Sequence, residues 1–305
     1  MSASPAAAQV AWLNCRLAVT FAEQSRTCVG GSLIKAILLP SVCDAINYQS
    51  TSEGQSQSQS QTTQSEDYRS ANASSLGRYL GIPRETARIN LRELVGSGLL
   101  REEGGGFGVP PEVITADPLR SAIIAGNEAL AAYVETLALI GACGLSPDQR
   151  YVAGSRAERT AAWLLATRYV LRVSALFRGL APGVGLVGQY VFLWAAIETG
   201  APLRLSGDLA EPGRLKLLKP RLGPITPTTL ARKMDFPVET VRRHVNRLVS
   251  EGLLLKMGDG VDVNLMGRHA MPWRDLLKQS ESSARQMIWK MGLAGLIAGP
   301  RMPQP

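Results

Sequence analysis

One stretch of this chain occurs twice. Leu76 to Leu100, LGRYLGIPRETARINLRELVGSGLL, overlays Leu230 to Leu254, LARKMDFPVETVRRHVNRLVSEGLL, without a gap and with 11 of 25 positions identical. Unrelated segments of ordinary composition share about one or two. The same offset of 154 continues through Gly104/Gly258, Gly106/Gly260, Val109/Val263, Pro118/Pro272 and Arg120/Arg274. Upstream, Ala11-Trp12-Leu13 matches Ala162-Trp163-Leu164 at an offset of 151. An internal repeat of this length constrains the fold more than any composition figure. It predicts two units, residues 1–146 and 147–305, each built on one plan. With 45% hydrophobic residues there is apolar material for two cores, which excludes wholesale disorder.

Each unit reads the same way. An opening helix (about Ala7 to Gln24; about Arg156 to Gly179) precedes a second apolar helix (about Ser32 to Asn47; about Leu186 to Thr199). The connection that follows, residues 48–73, contains GQSQSQSQTTQSED in the first unit; that run holds no apolar residue, so a disordered loop is expected. In the second unit it is a Gly/Pro-broken basic stretch, Gly200 to Gly223, with Arg204, Arg214, Lys216, Lys219 and Arg221. A short helix, a turn, a longer helix and a hairpin come next, at about 72–114 and 226–266. A long helix closes each unit (about Pro118 to Ala142; about Pro272 to Ile297).

In the second copy Thr226 suits an N-cap and Pro227 the first helical position. Asp235-Phe236-Pro237 breaks the helix and Pro237 starts the next, whose Val241, Val245 and Leu248 share a face. Gly252 supplies a left-handed stop. Leu253 to Met257 and the alternating Val261 to Leu265 read as strands around the turn Gly258-Asp259-Gly260. The first copy repeats this with Ala87, Leu91, Leu94, Gly98 and Gly104-Gly105-Gly106. The expected fold class is therefore mainly α with small β-hairpin wings: two tandem winged helix-turn-helix domains joined and flanked by long helices. The pattern LAxxxxxPxETVRRHVxxLVxEGLL resembles the DNA-binding segments of bacterial transcriptional regulators of the MarR, GntR and IclR types. It implies a sequence-specific regulator that places a recognition helix in the major groove of double-stranded DNA.

On the second copy the face opposite the core carries Val238, Glu239, Arg242, Arg243 and Asn246, with Thr240 at its N-terminal edge. Arg pairs with guanine and Asn with adenine in the major groove. Arg232 and Lys233 on the preceding helix, Thr226 at its start and Lys256 on the wing complete the expected DNA-binding set. The matching set on the first copy is Arg78, Arg84, Thr86, Arg88 and Arg92, beside Glu85 and Ile89. There Ile89 stands where the second copy has Arg243, and Glu102-Glu103 give the wing an acidic start. The second copy is expected to dominate. Glu85 and Glu239 are read as first-turn residues favoured by the helix dipole.

Charge points the same way. The formal charge of +8 divides into −3 up to Ser146 (10 Lys+Arg, 13 Asp+Glu) and +11 from Pro147 (23 and 12). A basic chain of this kind is expected to meet a polyanion. The basic residues lie on several elements rather than one amphipathic helix, which argues against a membrane surface. The apolar window Val184 to Ile197 holds Gln189 and is shorter than the ~20 residues of a span. Arg16 is the first basic residue, so no secretory leader is expected, and a cytoplasmic, nucleoid-associated protein is. Cys15, Cys28, Cys43 and Cys143 fit no metal pattern and read as small core residues, as the methionines do. His244 and His269 are the only histidines and are far apart, so no catalytic residue, metal or cofactor is expected.

The long helices are apolar over more than one face. Ala129, Leu130, Tyr133, Val134, Leu137, Ala138 and Ile140 mark one, and Trp163, Leu164, Tyr169, Val170, Val173 and Leu176 another. They predict a central helical layer that forms a homodimer, or a single chain that mimics one through its duplication. No residue set names a small-molecule effector. Two other readings stand beside the regulator: a plasmid replication-initiator or partition-type protein with tandem winged helices, and a protein-interaction scaffold that binds no DNA.

Overall fold

The computed structural model describes residues 5–53, 71–180, 183–204, 223–265 and 270–299. Among them the chain is mainly helical, with three two-stranded antiparallel sheets. In order the elements are α1 (Pro5–Cys28), α2 (Leu33–Glu53), α3 (Ala73–Leu80), α4 (Arg84–Gly96), β1 (Arg101–Glu103), β2 (Gly106–Gly108), α5 (Pro111–Thr115) and α6 (Leu119–Leu139). Then come β3 (Arg150–Tyr151), α7 (Arg156–Leu180), α8 (Gly185–Thr199), α9 (Ala201–Arg204), α10 (Pro227–Met234), α11 (Val238–Ser250), β4 (Leu254–Met257), β5 (Gly260–Val263), α12 (Ala270–Leu293) and β6 (Ile297–Ala298).

The chain divides into two compact units, and neither is a continuous half of it. One comprises Thr20–Ala129 and Ala153–Leu171; the other comprises Met1–Val19, Leu130–Val152 and Arg172–Pro305. Helices α1, α6 and α7 each give residues to both.

In the unit of residues 20–129 and 153–171, α3 starts at Asn72, whose side chain accepts from the Ser75 amide at 2.9 Å. It stops at Gly81, which sits at φ 66, where a side chain is strained. Leu76 and Leu80 of α3 and Ala87, Leu91 and Leu94 of α4 are buried. Helix α2 packs on α4 and β2, with Lys35 paired to Glu93 at 2.7 Å. The hairpin β1–β2 turns at Gly104-Gly105, both at positive φ, as a two-residue turn requires. Asp44, almost wholly buried, takes the Arg168 guanidinium at 2.9 Å. Gly126 lets α7 come close: a Cβ there would lie 2.6 Å from the Trp163 ring.

In the other unit, Thr226 caps α10 by accepting from the Thr229 amide at 3.2 Å, and Pro227 opens the helix. Asp235 ends it in the left-handed region at φ 52. Leu230, Met234, Val241, Val245 and Leu248 are buried together with Leu253 and Leu254. Strand β4 pairs with β5 from Leu254↔Val263 to Met257↔Gly260. Helix α8 packs along α10, α11 and β5. An aromatic group of Phe177, Phe192 and Trp273 joins α7, α8 and α12, and the Trp273 indole donates to the Asn264 carbonyl at 3.2 Å. A buried polar chain joins α6, α1 and α12: the Tyr133 hydroxyl donates to Asn14 Oδ1 at 2.6 Å, and Asn14 Nδ2 donates to Ser280 Oγ at 2.6 Å.

Several boundaries differ from the sequence reading. Helix α2 runs to Glu53, so order extends past Tyr48 into the stretch expected to be a loop; extending a formed helix is far easier than nucleating one. Residues 54–70 of that loop, and 205–222 of the basic connection, lie outside the described residues. The closing helices end early, at Leu139 and Leu293, and Ile297–Ala298 instead forms a strand with Arg150–Tyr151. Strand β5 stops at Val263, and its alternation does not put Asp262 in solvent; Asp262 is buried, its carboxylate accepting from the Val263 amide at 2.7 Å. The four cysteines are free and buried; burial pushes the Cys43 and Cys143 thiols up to about 12. Leu130, Tyr133, Val134, Leu137, Trp163, Tyr169, Val170 and Val173 are buried within the chain. Val184–Ile197 is, as read, too short for a membrane span; among the described residues the one helix long and apolar enough by itself is α6, and half of its apolar window is buried inside the protein. Two bent pairs, α1 with α2 and α7 with α8, meet the same length and composition only when each pair is joined.

Candidate nucleic-acid interface

The repeat of sequence is a repeat of structure. Each copy is a helix of eight residues, a three-residue turn, a helix of thirteen and a hairpin. Each also carries a contact that sequence did not announce. The segment before the short helix bonds to the second wing strand, through the Phe107 amide on the Ala71 carbonyl at 3.0 Å and through the Ile225↔Val261 bridge. These pairs keep the offset of 154. The bridge ties the hairpin to the start of the short helix.

On α11 the buried face leaves Val238, Glu239, Arg242, Arg243 and Asn246 exposed and Thr240 half-buried. Arg242 reaches back to Glu239 at 2.5 Å. Arg243, Arg232 on α10 and Lys256 on β4 are exposed and, among the described residues, have no hydrogen bond or ion pair. Lys233 is different. Its ammonium pairs with Glu198 of α8 at 3.0 Å and lies 6.0 Å from the centre of the Trp194 ring, so it holds α10 to α8. The Thr226 hydroxyl is likewise taken up by the helix cap.

On α4 the corresponding stripe is Arg84, Arg88 and Arg92, one helical turn apart each time. The three line a groove of about 480 Å³ with Glu102 and Phe107 of the wing and Asn72 to Ser74 at the start of α3. Two of the arginines are engaged within the copy. Arg88 forms a two-pronged ion pair with Glu85, which holds that carboxyl below its usual range, and Arg92 lies 3.6 Å from Glu102. Arg84 has no partner among the described residues. Ile89 stands 47% exposed in the middle of this face. Arg78 is exposed on α3 outside the groove lining, and Thr86 is half-buried, its carbonyl accepting from Asn90.

The two copies also differ beneath the face. His244 is half-buried against α8, where Gly188 makes room: a Cβ there would sit 3.1 Å from His244 Nδ1 and 2.2 Å from Val184 Cγ1. That Nδ1 is buried with no hydrogen-bond partner among the described residues. Burial, and then the charges of Arg243 and Arg247, hold the imidazole below its ordinary pKa. The first copy has Asn90 at this position.

Among the described residues no group of three His, Cys, Asp or Glu side chains is placed to hold a metal ion. The groove before the first wing and the Asn72 cap were not visible from residue spacing; the Thr226 cap and the alternation of buried and exposed positions on α4 and α11 were. Comparison with protein-family models, with curated proteins and with solved structures found no match.

Proposed function

We propose that this chain is a sequence-specific regulator that binds double-stranded DNA through two winged helix-turn-helix hairpins and catalyses no reaction. The observation that carries this reading is the set of unpaired cations around α11. Arg232, Arg243 and Lys256 are exposed with no ion pair among the described residues, on the helix pair and wing that such modules turn to DNA. Cations left this way are suited to phosphate oxygens, and Arg242 with Asn246 to base edges. Both copies pair one arginine with the first-turn glutamate, Arg88 with Glu85 and Arg242 with Glu239, but only the first also engages Arg92 with an acidic wing residue, Glu102, and carries Ile89 in place of Arg243, which supports the second copy as the stronger reader. A cytoplasmic, nucleoid-associated location and a homodimer belong to the same proposal.

The exposed Ile89 favours a second reading for the first copy alone, as a protein-contact face rather than a DNA reader.

The test is titration of the full chain with duplex fragments of its own genome at several salt concentrations. Arg242→Ala with Arg243→Ala should weaken binding and, through the one phosphate contact assigned to Arg243, reduce the slope of log K against log salt by about 0.9. Arg88→Ala should cost less. Unchanged affinity and slope in the double variant would overturn the assignment, and the opposite ranking would make the first copy the reader.

A further inference from the structure

We propose a second site, in the unit of residues 20–129 and 153–171, that binds a small apolar molecule ending in a carboxylate. Two cavities adjoin there. The inner one, about 160 Å³, is walled by Cys43, Leu119, Trp163 and Leu164. The outer one, about 230 Å³, is ringed by Arg120, Arg156 and Arg159. Ile114, Ile123 and Thr160 line both, so the apolar chamber opens directly into the arginine-lined mouth.

The chemistry of each part defines the occupant. An enclosed apolar space of about 150 Å³ holds a benzene ring and stays dry when empty. The apolar cavity is of that size, though partly open rather than closed, which suits one aromatic ring or a short branched chain. The mouth gathers three guanidinium groups and no acidic side chain among its lining residues. Arg120 and Arg156 are exposed and unpaired among the described residues. Arg159 donates through Nη2 to the Gly154 carbonyl at 2.9 Å, but its Nε is buried with no acceptor there. Three guanidinium groups gathered on one cavity wall favour a carboxylate, which each of them takes in a paired geometry. The site does not depend on whether the chain binds DNA.

The experiment is calorimetric titration of the full chain with phenylacetate, with phenylacetamide and acetate as partners lacking the charge and the ring. Phenylacetate is expected to bind at least about tenfold more tightly than either, because charge and ring are both recognised. Arg159→Gln should weaken it about tenfold without lowering the thermal midpoint of the free protein. Arg156→Gln, an exposed change, serves if Arg159→Gln does not fold. Ile114→Trp, which blocks the passage, should abolish binding. The proposal is overturned if phenylacetate gives no heat up to about 10 mM, if the amide binds as well as the acid, or if binding survives the arginine and tryptophan substitutions unchanged.

Discussion

His244 occupies the position where the first copy has Asn90, half-buried against α8. Its imidazole is held below the ordinary value of 6.5, first by burial and then by Arg243 and Arg247. The groups facing it include Gly188 and Val184 of the α8 segment, which bring no charge. In the unfolded chain the ring takes a proton below about pH 6.5, while in the folded chain it resists until lower pH. The unfolded state therefore binds more protons in that window, and stability is present above it and lost as pH falls through it. Urea unfolding of the wild-type chain between about pH 8 and pH 5.5 should show this loss. His244→Asn should flatten it. An equal slope in the variant would place the titrating group elsewhere.

At the scale of elements, the turn between α3 and α4 is tight enough to exclude a methyl group. A Cβ on Gly77 would lie 2.8 Å from the Ile82 carbonyl oxygen, a backbone atom that cannot swing away. Gly77→Ala should therefore destabilise by about 1–3 kcal/mol despite the better helix propensity of alanine. A rise in the thermal midpoint would show that the turn relaxes. In the second copy Ala231 fills the equivalent place and is buried, so that turn accommodates a methyl group there. These helix pairs were legible in the sequence because every boundary has a local signal: Thr226-Pro227 at a start, Asp235-Phe236-Pro237 at a turn, Gly98 and Gly252 at a stop. The exposed stripe of α11 was legible for the same reason, from the spacing of Val241, Val245 and Leu248. Contacts between distant segments left no such mark. Arg150–Tyr151 and Ile297–Ala298 are each two residues long, too short for alternation to register. Asp262 reads as an outward strand position, yet it is buried, on a strand that also contacts α8. The arginine-mouthed chamber was illegible because its walls come from five separate segments whose apolar residues look like ordinary core.

The whole molecule does not divide where its sequence does. The repeat suggests a cut between Ser146 and Pro147, but the compact units exchange segments across that point. Residues 153–171 belong with Thr20–Ala129, and Met1–Val19 with Arg172–Pro305. Fragments 1–146 and 147–305, made separately, should each lack a cooperative thermal transition, and mixing them should restore one. Independent cooperative folding of either fragment would show that each half keeps a core of its own. The buried chain of Tyr133, Asn14 and Ser280 illustrates the dependence, since Ser280 would lose the Asn14 donor with the first fragment.

That exchange has a genetic consequence. A gene with two side-by-side copies ordinarily offers recombination a simple way back to one, by deletion of either. Here a deletion that removes one copy also removes helix segments on which the other depends, so a single-copy descendant would be born with an unfinished interior. Once the exchange was in place, the pair could be inherited only together. Selection was then free to let their faces diverge, one toward Arg243 and a basic wing and the other toward Ile89 and an acidic one.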